Sequence, residues 1–185
     1  MPTTPSIQLA YDWAIYTCNR PDVGYSQAYR NQKRVNDITY YDCSSFIWFA
    51  LIAGGFDCEG VYGDDWPMVT ATENQFLEDL GFTESSINGL WKPGDILWRS
   101  GHTEMVYSGG QAEGVTMGAH SSHRPLEDQV SINDFVSTSS SWTRLWRYGD
   151  TDITPPDDPF TPTPIIKKDH GMPVWMMTRK GNRLL

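Results

Sequence analysis

With 185 residues, 39% of them hydrophobic, the chain can bury one good core and carry a tail. A net charge of −9 excludes the basic surface that phosphate binding needs, and with it nucleic acid as a partner. No run is apolar enough to span a membrane, and the polar opening Met1-Pro2-Thr3-Thr4-Pro5 lacks the pattern of a signal peptide, so membrane insertion is not expected.

Residues Ser6 to Thr17 predict a helix, with Ile7, Ala10, Tyr11, Ala14 and Ile15 near helical spacing. A polar loop holding Tyr25 and Tyr29 follows. The next stretch, Tyr41 to Gly55, is the most informative. Phe46 to Ala53 has no polar face and predicts a helix buried all round. Gly54-Gly55 supplies a left-handed stop. Asp42 is a good N-cap, with Ser44 and Ser45 as further acceptors for the first turn. Cys43 then stands at the first helical position, where the positive end of the helix dipole favours thiolate over thiol. That is how a nucleophilic cysteine is built; the alternative is a core cysteine packing as a small hydrophobe.

Residues 56–68 read as a Gly/Asp/Trp-rich loop. Its acids Asp57, Glu59, Asp64 and Asp65 match no EF-hand pattern, and a solvated loop is expected over a Ca²⁺ site. Thr72 to Phe82 predicts a second helix closed by Gly81. From Lys92 to Tyr107 the pattern is turn, strand, short turn, strand, with Pro93-Gly94 as punctuation and His102 opening the second strand. A histidine there can face a helix N-terminus packed on the same sheet, and cysteine with a distant histidine is the activated-nucleophile pairing. A third polar group must fix the imidazole's orientation. His120, on the expected strand Gly114 to Ser122, is the candidate, with His123, Glu127 and Asp128 as rivals. Trp142 to Tyr148 predicts the last strand. Helices first and an antiparallel meander after them make an α+β domain.

Three cysteines, Cys18, Cys43 and Cys58, imply no disulfide framework, although Cys18 and Cys58 could pair in an oxidising compartment. No cluster has structural-zinc spacing, so neither metal nor any other cofactor is expected. After Gly149 the composition changes. Residues 150–166 hold Pro155, Pro156, Pro159, Pro162 and Pro164 and predict a semi-extended linker. Residues 167–185 are too short to fold alone. They read as a docking tail or the start of a second module, behind a first domain of residues 1–149.

Asp42-Cys43-Ser44-Ser45-Phe46, then Pro93-Gly94-Asp95-Ile96 leading into Gly101-His102-Thr103, then a polar residue on the following strand, resembles the NlpC/P60 cysteine peptidases. Within them the likeness is greatest to phage endolysins, with CHAP amidases as cousins. It spans roughly residues 8–148 and implies a papain-like α+β fold, N-terminal helices packed on an antiparallel sheet. It also implies Cys43 as nucleophile, His102 as general base and His120 as orienting residue, with Tyr25, Asp42 and Ser44 at the oxyanion or substrate site. The hairpin between His102 and His120 is longer than the family's short form. The implied substrate is bacterial peptidoglycan, cut at an amide bond of the stem peptide. Alternatives are an N-acetylmuramoyl-L-alanine amidase on the same scaffold, or a non-catalytic wall-binding or phage tail module. The acidic net charge gives no help toward an anionic wall, so affinity would come from an appended wall-binding module. Without a signal sequence, the expectation is synthesis in the host cytoplasm and action on the wall after release or from the virion.

Overall fold

The computed structural model describes residues 4–150 and 152–154. The remainder of the proline-rich stretch and the 167–185 tail lie outside the described residues. The chain runs through α1 (Ile7–Cys18), β1 (Val23–Tyr25), β2 (Arg34–Val35), β3 (Ile38–Tyr41), α2 (Cys43–Ala53), α3 (Cys58–Tyr62) and α4 (Thr70–Asp79). Then come β4 (Thr83–Ser85), β5 (Ile96–Arg99), β6 (His102–Gly110), β7 (Glu113–Ala119), α5 (Leu126–Gln129), β8 (Val130–Thr138) and β9 (Arg144–Arg147). The α+β expectation is met: helices dominate the first half and a six-stranded antiparallel sheet, ordered β4-β9-β5-β6-β7-β8, the second.

Several short elements escape the sequence reading. A three-stranded sheet, β1-β3-β2, occupies the expected polar loop, with β1 parallel to β3. One turn of helix, α3, sits in the 56–68 loop, and β8 follows β7 as a full strand. The helix expected over Thr72 to Phe82, α4, begins at Thr70 and ends before Gly81.

The main core lies between the helices and one face of the large sheet. From the helices come Ala10, Tyr11, Ala14, Phe46, Ile47, Trp48 and Leu51; from the sheet come Ile96, Met105, Met117, Ala119 and Trp146. As its lack of a polar face predicts, no residue of α2 is exposed. The left-handed stop falls on Gly55 (φ 81°), since Gly54 is still right-handed (φ −70°). The opposite sheet face carries a smaller cluster of Trp91, Leu97, Val106 and Leu145, with Ile87 and Trp142 against it.

The Pro-Gly-Asp turn joins these layers. Gly94 donates its N–H to the Val106 carbonyl at 2.9 Å, and Val106 donates to the Asp95 carbonyl at 2.8 Å. Asp95 Oδ1 accepts Arg147 Nε at 2.8 Å, and its Oδ2 accepts the Lys92 N–H at 2.7 Å. The motif therefore anchors β5 to β6 and β9. Ile153 is buried against this turn, and Thr154 exchanges two hydrogen bonds with Gln8. Ile153 and Thr154 thus pack on the body.

Candidate active site

The mouth of α2 is built by a reciprocal cap. Asp42 Oδ1 accepts the Ser45 N–H at 2.8 Å, and Ser45 Oγ accepts the Asp42 N–H at 2.9 Å. This fixes Cys43 as the first helical residue, as expected. Arg30, itself buried, clamps the mouth from outside. Its Nε lies 2.8 Å from Asp42 Oδ2, Nη2 donates to Ser44 Oγ at 2.9 Å, and the guanidinium also donates to the carbonyls of Pro67 and Met68. Asp42 and Ser44, read from the sequence as oxyanion- or substrate-binding, therefore spend their side chains on holding the helix start. What they leave for chemistry is backbone.

The thiol differs from expectation in its resting state. Cys43 is only 6% exposed, and burial, followed by the charges of Asp42 and Glu73, pushes its pKa up to about 12. The N–H groups of Thr103 and Ser44 pull it down, but not enough to offset the rest. A preformed thiolate at the helix dipole is thus corrected to a neutral thiol. The dipole is a fixed fraction of a charge, whereas desolvation acts together with the Asp42 carboxylate and, once it ionises above about pH 8, with Glu73. Tyr25 stands nearby: its hydroxyl is shifted upward by burial, then by Cys43 and Asp42. Its own N–H is held by Gln129 Oε1 at 2.8 Å, from the segment before β8.

Among the groups that pull its pKa down is the N–H of the peptide that joins His102 to Thr103. From that peptide the two side chains diverge, because successive strand residues face opposite sides of a sheet. Thr103 turns toward the helices and donates to Glu73 Oε1 at 2.7 Å. His102 and Glu104 turn to the other side. A tight turn with Gly101 at φ 80° sets His102 at the strand start, and Trp142 stacks on its ring at 5.8 Å and 19°.

Glu104 is the organising residue on that side, and the sequence reading missed it. Its Oε1 lies 2.8 Å from His102 Nε2 and 2.8 Å from His120 Nδ1. Its Oε2 accepts Asn133 Nδ2 at 3.0 Å and the Thr116 hydroxyl. Burial pushes Glu104 upward, but the hydrogen bonds from His102 and His120 overcome it and hold the carboxyl well below its usual range. Gly118, opposite on β7, leaves the space this side chain crosses; a Cβ there would lie 3.3 Å from Glu104 Cγ. The available signal was the i, i+2 spacing of His102 and Glu104 on a strand, which puts both on one face.

The structure therefore joins His102 and His120 through Glu104 rather than directly. Among the described residues, no hydrogen bond links either ring to the Cys43 sulfur. His102 meets Glu104 through Nε2, so Nδ1 stays out of that bond. The rivals His123, Glu127 and Asp128 are exposed. Asp57 caps α3 through Gly60, Asp64 accepts the Trp66 N–H at 3.0 Å, and the four acids of that loop converge on no common point. All three cysteines are buried thiols.

No curated protein and no solved structure matches the chain. A family model, described as bacteriophage peptidoglycan hydrolase, matches residues 7–122, which runs from α1 past His120 and takes in Cys43, His102 and Glu104. With that match covering well over half of its length, the chain belongs to the bacteriophage peptidoglycan hydrolase family.

Proposed function

We propose that this hydrolase cleaves an amide bond of the peptidoglycan stem peptide by thiol chemistry, with Cys43 as nucleophile and His102 as general base, on a papain-like NlpC/P60-type scaffold. The observation that carries the reading is Cys43 at the capped mouth of α2, with the Thr103 N–H, one residue from His102, among the groups that favour its thiolate. Hydrogen bonds between nucleophile and base are often open without substrate and close in the Michaelis complex.

Because the resting thiol is neutral, deprotonation accompanies attack. His102 Nδ1 takes the thiol proton as sulfur bonds to the carbonyl carbon. The oxyanion receives the first free N–H groups of α2 and the Tyr25 hydroxyl, donors already in place before charge develops. The tetrahedral centre collapses to a thioester as the imidazolium protonates the departing amine. Water, deprotonated by His102, then splits the thioester, releasing the carboxylate and restoring the thiol. Glu104 stays ionised throughout, fixing the ring and stabilising the imidazolium; His120 braces Glu104 from the other side. Wall affinity beyond the site is assigned to an appended module, with synthesis in the host cytoplasm before access to the wall.

Turbidity loss of purified walls tests the reading. Cys43→Ala should reduce the rate by about 10³-fold or more, with the fold retained by circular dichroism. Undiminished clearing by that variant would remove the thiol from the mechanism. Mass spectrometry of released fragments identifies the bond: a new amino terminus within the stem peptide supports the endopeptidase, and free L-alanine amines with intact muramic acid support the amidase.

A further inference from the structure

We propose that His102, Glu104 and His120 form a binding site for one divalent transition-metal ion, zinc being the best match, and that its occupancy silences the hydrolase. The silencing rests on the thiol reading above; the binding does not.

Ligand geometry is the first argument. His102 Nε2, a Glu104 oxygen and His120 Nδ1 all lie within 4.8 Å of one another, and both nitrogens are 2.8 Å from the same oxygen. Ligand atoms about 2.0–2.1 Å from a tetrahedral zinc are roughly 3.3 Å apart, so each nitrogen–oxygen separation opens by about half an ångström while the two nitrogens, within 4.8 Å of each other, draw together. Two imidazoles and a carboxylate are ligands that zinc accepts in open sites, with the fourth position left to water.

Hydrogen-bond valence is the second. His120 Nε2 lies 3.0 Å from the Ser131 carbonyl, which can only accept, so Nε2 carries a hydrogen. In a neutral ring Nδ1 is then a bare lone pair, and it points at the Glu104 carboxylate, also an acceptor. Two acceptors at 2.8 Å need a positive centre between them, either a second proton or a metal ion. A ligating histidine whose other nitrogen donates to a backbone carbonyl is the usual outer-shell arrangement of metal sites. Glu104 has its own outer shell: Asn133 and Thr116 hold Oε2 and aim Oε1 at the two rings. Access comes from the His102 side, which is 17% exposed, against 3% for His120.

A metal on the His102 Nε2 lone pair would leave the ring's single hydrogen on Nδ1, so that nitrogen could no longer accept the thiol proton. The ion displaces the second proton held between His120 Nδ1 and Glu104, which goes to solvent, while the His102 hydrogen shifts from Nε2 to Nδ1; no redox partner is needed.

The test uses the full chain after chelator treatment, titrated at neutral pH with zinc by calorimetry and with cobalt by visible absorption. One equivalent should bind, with the cobalt spectrum showing tetrahedral N/O ligation and no sulfur-to-metal charge transfer. Glu104→Gln and His102→Gln should each weaken zinc by at least about tenfold. Cys43→Ser should leave affinity unchanged. Absence of stoichiometric binding to the wild type, or a thiolate band with cobalt, overturns the site, even if variants at Glu104 fail to fold. In the activity arm, a stoichiometric equivalent of zinc should suppress wall clearing and chelator should restore it. Clearing that persists with the site filled overturns the silencing, and clearing that requires zinc overturns both the silencing and the thiol reading while leaving the site standing.

Discussion

Two buried carboxylates flank the start of β6, and their fates diverge. Glu73 arrives from α4 on the helix side and meets Thr103; Glu104 lies one residue further along the strand, on the other side. Burial pushes both upward. Glu73 has one donor, the Thr103 hydroxyl, and its buried Oε2 has no partner among the described residues; it is pushed up to about 8, through burial first. Glu104 has four partners across its two oxygens and is held far below its usual range. The number and kind of donors decides the charge state of a buried acid, more than the depth of burial does. The consequence is a division of labour. Glu104 is a fixed anion under the imidazoles, while Glu73 is a neutral acid at pH 7 and spares the neighbouring thiol a second negative charge.

The largest effect expected from breaking this contrast is on catalysis. Glu104→Gln keeps the shape but replaces an acceptor-only group by one that also donates, which disturbs the tautomer of His102. Wall clearing should fall by about 10²–10⁴-fold, the scale on which an orienting acid acts in hydrolase triads. Loss of the buried anion beneath two rings should also cost about 3 kcal/mol of stability, read by thermal or denaturant unfolding. Equal activity losses in Glu104→Gln and Glu73→Gln would erase the distinction between the two carboxylates. Next in size is Tyr25→Phe, which tests the thiol side. Removal of one oxyanion donor should lower the clearing rate by roughly 10²-fold with little change in fold. An unaltered rate would take Tyr25 out of the oxyanion site.

How legible these two sides are in the sequence differs for the same physical reason. The Cys43 helix can be read directly, because its apolar run, its Asp42 cap and its terminal glycines are local signals, and each stands in the structure nearly where expected. The long helix at 70–79 and the strands at 96–99 and 102–110 follow from periodicity in the same way. Glu104 is harder, because what it touches depends on register across three strands: Gly118 beside it, Thr116 and Asn133 beneath it, and His120 at the far end of the hairpin. The two-, three- and four-residue strands of the small sheet are too short for alternation to show, and β8 carries Asn133 and Asp134 in mid-strand, against strand propensity. The charge state of Cys43 is harder to read, because the helix dipole is written in local sequence whereas the burial of the thiol and the approach of Glu73 depend on how distant elements pack. Ile153 sits in a run whose prolines speak of a linker, and only the pocket beside Gly94 reveals why it is held.

The smallest expected effect isolates Glu73 by its pH signature. Its folded pKa, about 8, lies above the ordinary 4.5 of a glutamic acid. Between those values the folded chain keeps a proton that the unfolded chain releases, so the contribution of this group to stability is full below about pH 4.5 and declines as pH rises toward 8. Glutamine has no proton to lose. The stability of Glu73→Gln relative to wild type should therefore grow with pH across that window, by at most roughly 1.4 kcal/mol per pH unit, and level off above it. Unfolding at pH 5, 7 and 9 measures it. Above pH 8 the ionised Glu73 of the wild type adds its charge to that of Asp42 beside the thiol, so alkylation of Cys43 should be faster in the glutamine variant there and similar at pH 6. A pH-independent stability difference would mean that Glu73 is ionised throughout and that its lone Thr103 hydrogen bond suffices to hold a buried anion. The lesson drawn from Glu104 would then fail on its nearest counterexample.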